Sequence, residues 1–175
     1  MDKKLRNSQI VGFIFTAAVG TLLHFLYDWS GANPIIALIS GVNESTWEHM
    51  KLLFVPLFVF ALIEYRFVGK AHEDYWCIKL TGTLLGLLLI PALYYGYTGA
   101  FGVSVDWFNI SIFYITDAAV FLWESAHTGR REPCLSPKLC FAVLIIIAIA
   151  FAVFTFAPPH IPLFRDPITL KYGRV

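Results

Sequence analysis

Apolar residues run along this chain in stretches of about twenty, separated by short polar segments, and that pattern predicts an all-α protein. About twenty apolar residues in helix cover a hydrocarbon core of about 30 Å. Five segments approach this length, at about 8–28, 45–65, 75–97, 106–125 and 139–157, with a tail at 158–175 rich in proline and turns. The architecture expected is a polytopic transmembrane helix bundle of about five spans, forming a single domain over 1–175. Between the first two spans, Asn33 to Ser40 lies between Gly31 and Gly41 and is too short to cross. Asn33 as a cap and Pro34 at the first helical position predict a short interfacial or re-entrant helix there.

The spans differ in their interruptions. In the second, the uninterrupted apolar run is the twelve residues Leu52 to Ile63, with Pro56 inside it. Twelve residues rise only about 18 Å. Glu44, Glu48, His49 and Lys51 at one end and Glu64 at the other therefore sit at headgroups or inside the bundle. The third span ends in an aromatic belt, Tyr94, Tyr95 and Tyr97, as helices do at a membrane surface. The fourth places Asp117 near mid-membrane between Trp107 and Trp123. A carboxylate at that depth is expected to face the bundle interior, bonded to Asn109, Thr116 or a tyrosine hydroxyl. Glu64 and Glu124 are expected at the interface beside Arg66, Arg130 or Arg131. The fifth span is apolar throughout and reads as lipid-facing or purely structural.

Composition agrees with a membrane protein. The 175 residues are 58% hydrophobic, 17% aromatic and only 14% charged, with a mean hydropathy of +0.67, whereas soluble domains carry about 25% charged residues. A net charge of +1 without a basic run gives no surface for nucleic acid. The expected partners are membrane lipids and a lipid or small-molecule ligand. Counted on alternate sides of the spans, Lys and Arg number nine (Lys3, Lys4, Arg6, Arg66, Lys70, Lys79, Arg130, Arg131, Lys138) against four (Lys51, Arg165, Lys171, Arg174). The positive-inside rule then puts the N-terminus in the cytoplasm and the C-terminus outside a plasma membrane. The first apolar run is too long for the core of a signal peptide and reads as a retained helix. Cys77, Cys134 and Cys140 have neither metal-knuckle spacing nor an even count, so no disulfide framework is implied. No glycine-rich phosphate loop is present, and no nucleotide cofactor is expected.

The chemistry concentrates in residues 24–51, which hold two histidines and three acids in an otherwise apolar setting. His24 and Asp28 are four apart and share one helix face. Glu44, Glu48 and Lys51 share another, with His49 rotated about 100° from Glu48. His24, Asp28, Glu44 and Glu48 are the expected metal ligands, and Glu48, His49 and Asp117 the expected catalytic groups. Mixed histidine and carboxylate ligation suits a divalent ion, zinc first, with manganese or iron as alternatives. The competing structural reading is that Ser45 to Glu48 forms a capping box and that Glu48 and Lys51 form an i, i+3 ion pair. Asp117 and Glu124, seven apart, share a face and suggest a proton or cation relay.

Three motifs, HFLYDWSG, NESTWEHMKLLFVP and PPHIPLFRDP with a terminal YG, resemble an uncharacterised family of small bacterial integral membrane proteins. That resemblance implies a five-helix topology and no activity. More distantly, Asn43, Trp47 and His49 are similar to a motif of the progestin and adipoQ receptor and alkaline ceramidase superfamily, which implies zinc-dependent hydrolysis. Two functions follow from the residues. One is a metal-dependent enzyme acting on a lipid or amphiphile at the outer face. The other is a small transporter, channel or ligand-binding protein that uses the same site with Asp117 as its mid-membrane step. An inert scaffold is the third reading.

Overall fold

The computed structural model describes residues 3–128 and 136–174. Five long helices make up the protein: α1 (Lys3–Trp29), α2 (Thr46–Phe67), α3 (Tyr75–Phe101), α4 (Asp106–His127) and α5 (Pro137–Phe156). Among the described residues there is no strand, only an isolated bridge between Arg165 and Tyr172. Helix ends follow local chemistry. Ser45 accepts the backbone N–H of Glu48 at the start of α2, and Ser136 accepts that of Leu139 at the start of α5, where Pro137 fills the first turn. Each side-chain oxygen thereby satisfies a donor that the helix cannot. Gly102, at φ +70°, closes α3 in the left-handed conformation, which a residue without Cβ adopts at little cost.

The expected re-entrant helix is reduced to one 3-10 turn, Ile36–Leu38. Asn33 does not cap it; its side chain accepts from the Ile35 N–H at 2.9 Å, in the turn that leads in, and Ile35 holds the cap position without a side-chain bond. Only five apolar residues, 35–39, lie between Pro34 and Ser40, too few to recover the cost of nucleating a helix. Long-range bonds hold the segment instead. The Ser40 hydroxyl accepts the Tyr27 N–H at 2.9 Å and donates to the Leu23 carbonyl, while the Ala37 carbonyl accepts from Lys51.

The pairs α1–α2, α3–α4 and α2–α5 run antiparallel. Gln9 meets Glu64 where α1 begins, and His24 meets His49 where α1 ends. In the same way Lys79 pairs with Glu124 and Tyr97 with Asn109 along α3 and α4, and Phe58 meets Phe141 and Trp47 meets Phe154 along α2 and α5. The chain therefore traverses the bundle five times. The near end holds the starts of α1, α3 and α5; the far end holds the loop 30–45 and the tail.

Small residues set the approach. On α1, Gly12, Thr16 and Gly20 form a stripe at four-residue spacing, and on α3 Gly82 and Gly86 do the same, a pattern that lets helices pack closely in lipid. A Cβ at Gly12 would lie 2.4 Å from the Phe121 ring and 2.5 Å from the Phe60 ring. At Gly20 it would lie 2.5 Å from Phe113 and 2.8 Å from the Leu52 carbonyl oxygen. That carbonyl has no helical donor, because Pro56 stands four residues on and lacks an N–H.

The distribution of polarity is inverted relative to a soluble domain. Leu88, Leu122 and Ile146 are 69%, 71% and 62% exposed, whereas Lys51 and Asp117 are 0% and Glu124 1% exposed. Three helices, Lys4–Trp29, Tyr75–Phe101 and Pro137–Phe156, are long and apolar enough to cross a membrane. The remaining two, α2 and α4, carry most of the buried charge.

Candidate functional site

At the far end the last turns of α1, the loop before α2 and the first turns of α2 bring His24, Glu44 and His49 together. One ligand atom from each lies within 4.8 Å of the others. His49 Nε2 is 3.5 Å from one Glu44 oxygen and His24 Nε2 is 3.8 Å from the other. Local structure explains the placement. Asn43 accepts the Ser45 N–H in a tight turn and donates to the Gly173 carbonyl of the tail at 2.9 Å, which holds Glu44 just ahead of the Ser45 cap. His49 Nδ1 lies 3.0 Å from the Ser45 carbonyl. A carbonyl only accepts, so Nδ1 carries a proton, and Nε2 is the ring nitrogen directed at Glu44, the atom that metal-ligating imidazoles with a bonded Nδ1 present.

These three donors could hold a divalent ion. Two imidazole nitrogens and a carboxylate suit zinc, manganese or ferrous iron, and ligands about 2.1 Å from a tetrahedral ion lie about 3.4 Å from one another. The two Glu44 distances are near that value already. The three side chains are 31–42% exposed, so water and a ligand can reach them.

Two expected ligands lie elsewhere. Asp28 is exposed on the last turn of α1, beyond the group of three. Glu48 is 2% exposed and faces Lys51, with Nζ 2.6 Å from Oε2. The Lys51 ammonium is fully satisfied, because it also donates to the Ala37 carbonyl and the Thr155 hydroxyl at 2.8 Å each. Glu48 in turn accepts the Val42 N–H at 3.2 Å and stands 3.1 Å from the Thr155 hydroxyl. A buried ammonium demands an anion, and Glu48 supplies it. The i, i+3 pair thus describes Glu48 better than ligation does. Of the capping box only the Ser45 half forms, since the Glu48 carboxylate reaches Val42 and not Ser45.

A second polar cluster lies toward the near end. Lys79 Nζ is 2.6 Å from Glu64 and 2.5 Å from Glu124. Glu64 also accepts from Ser8 at 2.6 Å, Gln9 at 3.0 Å and the Tyr75 hydroxyl at 2.9 Å. Both glutamates are buried and pair with Lys79, in place of the expected interfacial pairing with arginine. Arg66 is exposed, and Arg130 and Arg131 lie outside the described residues. Lys79 carries no mark in the sequence to separate it from a loop cation, except its position four residues beyond Tyr75 in an otherwise apolar run. Asp117 is 0% exposed, and neither of its carboxylate oxygens has a hydrogen-bond partner among the described residues. Its expected partner Asn109 is engaged by Tyr97 and Ser104 instead.

The tail packs over the far end. Trp47 packs tilted against the Phe151 and Phe164 rings, with centroids at 4.5 and 4.7 Å. His160 stacks on Tyr172 at 4.6 Å, and Asp166 closes a turn by accepting from Ile168 and Thr169. His72 stands in the connection between α2 and α3, at the other end of the bundle. Comparison with characterised proteins and with solved structures gives no match. A family model does match residues 2–174, nearly the whole chain, and the protein therefore belongs to the family of unknown function DUF6512.

Proposed function

We propose that this is a five-span membrane protein that holds a divalent ion, zinc first, between His24, Glu44 and His49 and hydrolyses a lipid or other amphiphile there. The observation that carries this reading is the convergence of two imidazoles and a carboxylate in one half-exposed group, with His49 Nδ1 bonded to the Ser45 carbonyl. An ion held there supplies Lewis acidity toward water and toward a carbonyl or phosphoryl oxygen. Asp28, one turn beyond His24 and exposed on the same helix, suits the proton-transfer role for which the spacing nominates Glu48. Phe25, Trp29 and Ile35, 45%, 67% and 72% exposed at the same end, offer an apolar surface for the chains of an amphiphile. Transport through the site would need a polar route to Asp117. Between the two levels Gly20 packs tightly against Phe113 and the Leu52 carbonyl, which supports the enzyme reading over transport.

Elemental analysis of protein purified in detergent without added metal or chelator is expected to find one zinc per chain. His24→Ala, His49→Ala and Glu44→Gln should each lower metal content by roughly tenfold or more, while Asp28→Asn should keep the metal and lose turnover. Parental metal content in His49→Ala protein would sink the reading.

The orientation proposed is N-terminus cytoplasmic and C-terminus outside the plasma membrane. Lys51 and Lys79 are buried and leave the loop count, which falls from nine against four to eight against three, with the same sign. A single cysteine at position 172, in a cysteine-free background, should react with an impermeant reagent added outside intact cells. Labelling only after the cells are opened would reverse the topology.

A further inference from the structure

A second site lies at the centre of the bundle, away from His24 and its partners. Phe113 of α4 meets Gly20 of α1, and Phe121 of α4 meets Gly12 of α1. Asp117 is four residues from both phenylalanines, and Thr16 is four residues from both glycines. Residues four apart share a helix face, so Thr16 and Asp117 face each other at the midpoint between the two contacts. The third wall is α2, where Phe60 reaches Gly12 and the Leu52 carbonyl reaches Gly20. Pro56 stands midway between them, and the Leu52 carbonyl that it frees points toward the level of Thr16.

The side-chain oxygens on this level lack partners among the described residues. Thr16, Thr116 and Asp117 are each 0% exposed, and the Thr16 hydroxyl, the Thr116 hydroxyl and both Asp117 oxygens have no hydrogen bond among the described residues. Thr16 and Asp117 thus face one another without bonding. A misplaced polar residue would leave one such atom; here there are four, on facing helices. Charge points the same way. Asp117 and Glu124 lie seven apart on one face of α4, yet Lys79 is already shared between Glu64 and Glu124. Three buried carboxylates thus have one ammonium among them, and an unpaired carboxylate in such a setting is costly.

We infer that Thr16, Asp117 and the Leu52 carbonyl, with the Thr116 hydroxyl beside them, form an occluded binding site for a monovalent cation, sodium by its chemistry. One carboxylate supplies one negative charge, which a monovalent ion neutralises and a divalent ion would exceed. Hydroxyl and carbonyl oxygens are hard neutral donors of the kind that replace the hydration shell of alkali ions inside membrane proteins. The Gly20–Phe113 contact above and the Gly12–Phe121 contact below enclose the site, so the ion is a resident one that ties α1, α2 and α4 together.

The test uses the purified full-length chain in detergent, with sodium, potassium or choline chloride at equal ionic strength. Sodium at about tenfold above half-saturation should raise the melting temperature by about 3–6 °C over choline, and equilibrium dialysis with radioactive sodium should find one ion per chain. Asp117→Asn should abolish the sodium response, and Thr16→Val, which keeps the side-chain shape, should weaken binding at least tenfold. His24→Ala, which removes a ligand of the far-end site, should leave the sodium response as it is. The inference fails if the melting temperature is the same in all three salts, as it would be if Asp117 held only a proton. Failure also follows if Thr16→Val binds sodium as the parent does.

Discussion

Replacing Lys79 by methionine is expected to destabilise the protein by about 3–5 kcal/mol, the cost of removing one partner from a buried ion pair. Lys79 is 4% exposed and its ammonium is the shared counter-charge of Glu64 and Glu124. Methionine fills much of the same volume, so the loss would be electrostatic and not a cavity effect. Two carboxylates would remain, each 2% exposed or less, with repulsion where attraction had been. Ser8, Gln9 and Tyr75 still donate to Glu64, but among the described residues Glu124 has no comparable set. Lys79→Met combined with Glu64→Gln and Glu124→Gln should recover most of the loss, since neutral amides need no counter-charge. Thermal denaturation of the single and triple variants in detergent would decide it. A Lys79→Met protein within about 1 kcal/mol of the parent would mean that the three groups do not act as a unit.

Lys51→Met should cost a similar amount, about 3–5 kcal/mol, and should have a second consequence at the far end. The Lys51 ammonium joins three elements: α2 through Glu48, the loop through the Ala37 carbonyl and α5 through Thr155. Without it Glu48 is a buried anion, and the loop loses the bond that holds the Ile36–Leu38 turn against α2. Glu44 sits at the end of that loop, two residues past Val42, whose N–H is held by Glu48. Metal content should therefore fall by about 10–100-fold even though Lys51 touches no ligand. Hydrogen exchange over residues 30–45 should rise with it. Glu48→Gln separates the two roles considered for that residue. As a ligand it would cost metal and little stability; as the partner of Lys51 it would cost stability first, and adding Lys51→Met would restore part of it.

The sequence alone determines the number of long helices, the Ser45 cap and the proximity of Glu48 to Lys51. The first follows from apolar runs of helix length, and the other two depend on residues within four positions of each other, where helix geometry leaves little choice. It also marks His24, Glu44 and His49 as chemically unusual, because ionisable residues in an apolar chain stand out by composition. Partnership across helices is a different matter. Glu64 and Glu124 read as interfacial until Lys79 is seen between them, and Thr155, in a helix with no other polar mark beyond its first turn, completes the Glu48 and Lys51 network from about a hundred residues away. Asp28 and Glu48 share spacings as good as those of the residues that do converge, and the rotation of α1 and α2 separates them. That rotation, and the register that sets Thr16 opposite Asp117, come from how closely the helices approach at Gly12, Gly20, Gly82 and Gly86. A glycine shows in the sequence only that a close approach is allowed. Which neighbour fills it, and so which charges meet, is decided when all five helices pack at once.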